Sequence, residues 1–294
     1  MLLRIDHITE YRYRRAVGLT PHRLRLHPRG VPGLRILRSE LRIHPGEHSL
    51  HWSLDAEGNV LGVATFPAES NCLRIESSLL LDQRITNPFD FLLEGRALRL
   101  PLFYDDRERQ FLVPFLQSSD PGSTREVSLL AEPFLRGVSA KDSTLDFLTA
   151  FTRAIPALFR YSLRHEPGVQ TAEETITRRE GTCRDFAHLF IESVRSAGLA
   201  ARYVSGYLCS SPGSAGENHT HGWCEVYLPG AGWRGFDPTN GILAGAHHVA
   251  VATSLTAGDI PPVEGSYCGE DGLLDAHEVT ISARELLPGE EEAA

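Results

Sequence analysis

Five cysteines occur in the 294-residue chain, Cys72, Cys183, Cys209, Cys224 and Cys268, and the surroundings of Cys183 set it apart. A cysteine attacks as thiolate, and a free thiol with a pKa near ~8.5 is mostly protonated at neutral pH. The positive end of a helix and a neighbouring imidazolium each favour the thiolate. Thr182-Cys-Arg-Asp185 has the spacing of a capping box, which places Cys183 in the first turn of a helix. Phe186, Leu189, Phe190 and Val194 follow on one apolar face, and Ser196-Ala-Gly198 closes the helix. An odd total and the absence of a C-x-x-C pair speak against a disulfide framework or zinc ribbon. The other four cysteines therefore read as small buried hydrophobes.

The imidazole must come from elsewhere in the chain, and His221 is placed to supply it. It stands at the start of the strand-like run ending Trp223-Cys-Glu-Val-Tyr-Leu, which the turn Pro229-Gly-Ala-Gly232 connects to a second strand ending at Phe236-Asp237. In such a hairpin His221 and Asp237 lie side by side. The Asp237 carboxylate is then expected to accept Nδ1–H of His221 and hold the ring towards Cys183. That is the nucleophile, base and orienter of covalent acyl transfer. The backbone N–H of Cys183 is a natural oxyanion donor, with Gln170 or Trp223 as candidates for a second. Arg184 and Asp185 are expected to tie the nucleophile turn to its surroundings, Asp185 by capping the helix.

These residues need a scaffold of helices followed by strands. Residues 1 to about 90 alternate apolar and polar side chains with period two, in runs such as His7-Ile-Thr-Glu-Tyr-Arg-Tyr and Glu40-Leu-Arg-Ile-His. Pro28-Arg-Gly-Val-Pro-Gly and Glu57-Gly58-Asn59 punctuate them, the pattern of an antiparallel sandwich. Ten of the arginines fall within residues 1–50 and read as the wet face of these strands. Capping boxes at Ser143/Asp146 and Thr171/Glu174 start two helices ahead of the Cys183 helix. Strands from Ala201, Trp223, Gly232 and His248 follow it, an α+β arrangement. The expected organisation is a β-sandwich over 1–97, a connector over 98–140, a catalytic domain over 141–285 and a disordered tail over 286–294.

Gly181-Thr-Cys-Arg-Asp-Phe-Ala, His221-Gly-Trp-Cys-Glu-Val-Tyr-Leu-Pro-Gly-Ala-Gly-Trp and Gly235-Phe-Asp-Pro-Thr-Asn together resemble the bacterial transglutaminase-like proteins. The sheet domain that precedes the core in that family is similar to the N-terminal segment here, through His7-x-Thr9-x-Tyr11-x-Tyr13, Leu24-x-Leu26-x-Pro28 and Asp55-x-x-Gly58-Asn59. The resemblance implies a papain-like transglutaminase core with Cys183 as nucleophile, His221 as base and Asp237 as orienter. It also implies attack on a peptide or glutamine-type amide, with the acyl group passed to water or an amine. Gly222 stands where the family usually has Ala, and Cys224 where Val is common. The run Ser254-Leu-Thr-Ala-Gly-Asp-Ile-Pro-Pro lacks the family's Gly-Arg-Asp, which counts against this loop shaping the substrate cleft.

Two other readings compete. A zinc site could draw on His219, His221, His247 and His248 with Cys224 or Cys209. In extended chain, however, His219 and His221 share a face from which Cys224 points away. A non-catalytic binding module on the same fold would be signalled by loss of a triad residue, and all three are present. The net charge of −9 disfavours nucleic acid and anionic membrane as partners. The charged start, Met1-Leu-Leu-Arg-Ile-Asp, and the lack of a long apolar run fit a cytoplasmic location. The expected partner is a protein or peptide substrate, with no cofactor or metal. Peptide or isopeptide hydrolysis is the first expectation and transamidation the second.

Overall fold

The computed structural model describes residues 1–120, 127–128, 130–132, 143–164, 168–212, 219–258, 260–287 and 289–290. The first six strands divide between two antiparallel sheets. β1 (Leu2–Leu19), β3 (Leu34–His44) and β6 (Ser70–Gln83) build the larger, and β2 (His22–Leu24), β4 (Ser49–Leu54) and β5 (Val60–Thr65) the smaller. β6 lies between β1 and β3 and pairs with both. Its Leu73, Ile75, Leu79 and Leu81 alternate inward and are fully buried, the period-two pattern of a strand with one face on a core. Leu73 and Ile75 pack with Leu24 and Ala64 across the two sheets, giving the expected sandwich.

The helical layer comprises α1 (Asp106–Leu116), α2 (Thr144–Leu158), α3 (Ala172–Arg178) and α4 (Cys183–Ser196). Ser143 with Asp146 and Thr171 with Glu174 form reciprocal capping boxes at the starts of α2 and α3. The two-residue strands β7 (Arg160–Tyr161) and β8 (Glu180–Gly181) pair in parallel just ahead of α4. Behind the helices stands an antiparallel sheet in the order β12 (Ile242–Leu243), β11 (Gly232–Asp237), β10 (Thr220–Leu228), β9 (Ala201–Leu208), β13 (His248–Ser254). Phe147 and Phe151 of α2 and Phe186 and Phe190 of α4 pack there on Cys224, Val226 and Phe236. Every residue of α4 from Asp185 to Arg195 is buried, so the helix that begins at Cys183 runs through the core.

The chain then returns to its beginning, which the sequence reading did not anticipate. β14 (Val263–Glu264) pairs with β2, while β15 (Tyr267–Cys268) and β16 (Leu274–Glu285) pair with β1. Residues 263–285, assigned above to the catalytic domain, thus complete the N-terminal sheets. The physical reason is the free edge of β1: β6 satisfies one side, and a long strand needs a partner on the other. Leu286, assigned to the tail, is buried and donates its N–H to Leu2. Of the rest of the tail, residues 288 and 291–294 lie outside the described residues.

β1 and β6 also pack on the core sheet: Leu3, Ile5, Leu79 and Leu81 meet Tyr207, Val249 and Val251. Two polar links cross this seam. His7 places Nδ1 2.7 Å from the Tyr207 hydroxyl and Nε2 2.9 Å from Thr9 Oγ1. Asn59, at the end of a turn that Asp55 nucleates, bonds the backbone of Thr253 through both amide atoms at 2.8 Å. Of the motifs quoted from the N-terminal segment, His7-x-Thr9 and Asp55-x-x-Gly58-Asn59 thus supply docking contacts to the strand pair β9–β13 that frames the site, while Tyr13, Leu24 and Leu26 pack inside the sandwich.

Candidate active site

Thr182 is the N-cap of α4 and Cys183 its first helical residue, so the sulfur sits at the positive end of a buried helix. Asp185 fixes this turn. Its Oδ2 accepts from both the N–H and the hydroxyl of Thr182, at 2.8 and 2.9 Å. Its Oδ1 accepts from Gln170 N–H at 2.8 Å and Arg164 Nη2 at 3.0 Å. Asp185 therefore binds three segments to one fully buried carboxylate, both capping the helix and tying the turn to its surroundings as expected. Arg184 forms none of these links and faces the groove instead.

Phe236 lies opposite Cys224, which leaves Asp237 at the end of β11 beside the His221 end of β10. His221 Nε2 is 2.8 Å from Asp237 Oδ2, and Cys183 lies close enough to the same imidazole to raise its pKa. The ring is thus turned opposite to the expectation: Nε2, the nitrogen farther from the backbone, reaches the carboxylate, and Nδ1 is left for the sulfur. Burial would pull the His221 pKa down. The hydrogen bond to Asp237 and the nearness of Cys183 outweigh it and raise the group to about 10.

The carboxylate of Asp237 accepts from five donors. Oδ2 receives His221, His248 Nε2 at 3.0 Å and Asn240 Nδ2 at 2.7 Å, while Oδ1 receives the backbone N–H groups of Thr239 and Asn240. Burial alone would push Asp237 upward, but the hydrogen bonds from His221 and His248, with the charge on His221, hold it far below the usual carboxylate range. An ionised carboxylate only accepts, so both histidines carry Nε2–H. His248 takes the Gly245 N–H on Nδ1 and, its pKa lowered by burial, is the neutral tautomer. Trp223 closes this network from one side, stacked on His221 at 6.0 Å and edge-on to His248 at 5.2 Å.

Cys183 and His221 open onto a groove of about 390 Å³. Arg164, Arg184, Tyr203 and His219 line it, and Gly258, Ile260, Pro261 and Pro262 form one wall. The loop after β13 thus shapes the cleft although its sequence departs from the family. Between β9 and β10, residues 213–218 lie outside the described residues, as does 259 after β13. Neither oxyanion candidate lines the groove. Gln170 accepts from the Thr175 hydroxyl at 3.2 Å and borders a neighbouring cavity, while Trp223 is the wall behind the histidines. The structure adds His248 and Tyr203 to the site. His248 was considered only as a metal ligand, and Tyr203 carried no signal beyond its place in an apolar strand.

The metal set considered from sequence does not converge. Cys224 donates to Phe236 O on the far face, Cys209 is buried at the seam, and His247 pairs with Glu285. A different trio, His221, Asp237 and His248, brings its ligand atoms within 4.8 Å of one another. Both imidazoles aim an Nε2–H at the same carboxylate oxygen, so their contacts are filled by protons. Burial pushes the Cys209 thiol up to about 12 and raises the Cys224 thiol well above its ordinary value, as suits packing residues.

A thiol at a helix N-terminus facing a histidine–aspartate pair on an antiparallel sheet defines the transglutaminase-like, papain-related class. Residues 132–238 match the model of the transglutaminase-like superfamily, and residues 3–82 that of the bacterial transglutaminase-like N-terminal region. An uncharacterised protein of Mycobacterium tuberculosis is 30% identical over 277 residues, covering 89% of this chain and 86% of its own. A second, from Mycobacterium leprae, is 25% identical over 280 residues, covering 91% and 93%. The chain belongs to the bacterial transglutaminase-like family. Its fold is also that of a candidate cysteine protease from Cytophaga hutchinsonii, with a TM-score of 0.68, 20% identity, and coverage of 96% and 90% of the two chains.

Proposed function

We propose that the protein is a cysteine-dependent acyl-transfer enzyme acting on a peptide or glutamine-type amide through a thioester, with hydrolysis as its outcome. The observation that carries this reading is the proton balance at Cys183. His221, raised to about 10 by its contacts with Asp237 and Cys183, takes the thiol proton at the head of α4. The thiolate then attacks the amide carbon, and the carbonyl electron pair moves to oxygen beside the Cys183 backbone N–H. On collapse the C–N bond breaks, and the departing amine takes the proton from Nδ1 of the imidazolium. Water, giving its proton back to the imidazole, next attacks the thioester and frees the acid and Cys183.

Iodoacetamide labelling at neutral pH, read by peptide mass spectrometry, tests the nucleophile: selective modification of Cys183 among the five cysteines is expected. No labelling of Cys183 sinks the enzymatic reading and leaves a binding module. Mass analysis of a glutamine peptide with and without an added amine separates the outcomes. Deamidation or cleavage alone supports hydrolysis, and amine incorporation reverses it in favour of transamidation.

A further inference from the structure

Tyr203 is 4% exposed, its ring packed in the helix–sheet core between β9 and α4. A buried tyrosine ordinarily finds a partner for its hydroxyl. This one has no hydrogen-bond partner among the described residues, yet its oxygen is not sealed from solvent. It lines the groove with Cys183 and His221 and lies within electrostatic reach of Cys183. Burial, with the Cys183 charge next, pushes its pKa far up, so the hydroxyl keeps its proton and remains a donor.

Gly222 explains how the hydroxyl comes to be there. Tyr203 and Gly222 share the sheet face that carries Cys224, and a Cβ at position 222 would collide with the Tyr203 hydroxyl. The absence of a side chain beside His221 thus leaves a slot that the hydroxyl occupies at the rim of the groove.

We infer that the Tyr203 hydroxyl is the second oxyanion donor, completing with the Cys183 backbone N–H the hole that neither Gln170 nor Trp223 supplies. This rests on the acyl-transfer reading above. As the thiolate bonds to the amide carbon, the carbonyl oxygen gains the electron pair and a negative charge. The Tyr203 O–H donates to that oxygen without transferring its proton, and the bond relaxes when the C=O re-forms and the amine leaves.

The test compares two reactions of the full chain. Alkylation by iodoacetamide needs the thiolate but no oxyanion, whereas acylation by p-nitrophenyl acetate, followed by intact mass, needs both. Tyr203→Phe keeps the ring and is expected to alkylate at the wild-type rate while acylating about 10²-fold more slowly, the loss typical of one oxyanion donor. Gly222→Ala, which displaces the hydroxyl and keeps it in the chain, should show the same split to a smaller degree. Acylation of Tyr203→Phe within threefold of wild type overturns the inference. So does an equal loss in both reactions, which would make Tyr203 a support of the thiolate. If the wild type itself neither alkylates nor acylates at Cys183, the acyl-transfer reading fails, and that outcome is distinct from either of the others.

Discussion

Replacing Asp237 by Asn removes the charge that keeps a proton on His221 while preserving the shape of the side chain. The rise of His221 from an ordinary 6.5 to about 10 amounts to about 5 kcal/mol in favour of the imidazolium. Burial works against that rise, so the two supporting partners supply at least this much between them. Asp237 supplies the larger share of that support, so its loss should lower His221 by roughly two pH units or more. Histidine-labelled protein followed by NMR should show His221 releasing its proton near pH 10 in the wild type and near pH 8 or below in Asp237→Asn. The linkage has a definite sign. A histidine whose folded value exceeds its unfolded one contributes stability fully below about pH 6.5, and loses it as pH rises through about 10. Asp237, depressed in the fold, contributes above the ordinary carboxylate range and loses its share only on acidification below that range. A His221 that titrates at the same pH in both proteins would refute the assignment of Asp237 as the group that holds the imidazolium.

Three further perturbations test the scaffold. His248→Phe removes one donor to the ionised Asp237 and should slow acylation by about tenfold or more, since such a bond is worth about 1.5–3 kcal/mol. Unchanged acylation and an unchanged His221 titration would make His248 a packing residue. His7, lowered to about 4 by burial, is neutral in the fold and charges more readily when unfolded. Stability should therefore fall by about 3 kcal/mol between pH 6.5 and pH 4, and His7→Gln should flatten that slope in urea titrations. Arg195 is buried against Glu192 at 2.9 Å and donates to Ala201 O and Leu255 O, tying α4 to the core sheet and the loop after β13. Arg195→Met leaves Glu192 charged and buried and should cost about 3–5 kcal/mol of unfolding free energy by denaturant titration.

Much of the site could be read from the chain because its parts lie on local patterns. Thr182 and Asp185 mark a helix start within four residues, and the turn at Pro229–Gly232 sets a hairpin whose ends carry His221 and Asp237. What escaped reading depends on side-chain orientation or on pairing between distant segments. Whether Nδ1 or Nε2 of His221 meets Asp237 is decided by the twist of β10 against α4, which no spacing encodes. His248 reaches Asp237 from a strand on the opposite edge of the sheet. Tyr203 looks like any aromatic residue in a buried strand, and only the empty position at Gly222 marks its hydroxyl. The departure at Gly222 was legible, but its consequence needed the neighbouring strand. β16 alternates weakly, with most of its residues exposed, so nothing local announces that it closes the edge of β1.

The return of residues 263–285 to the N-terminal sheets bears on how the site keeps its geometry. β9 and β13 pack one face of the core sheet against β1 and β6 through Tyr207, Val249 and Val251. The same two strands carry Tyr203 and His248. The chain between β13 and β14 forms a wall of the groove and is held at one end by the core sheet and at the other by β2. A groove wall strung between two bodies keeps its position only if the bodies are fixed to each other. The seam fixes them: an apolar cluster sets the contact, while His7–Tyr207 and Asn59–Thr253 set its register with hydrogen bonds that a slip of one residue would break. The N-terminal sandwich, which contributes no residue to the Cys183–His221–Asp237 cluster, is on this argument part of what makes the cleft a defined shape.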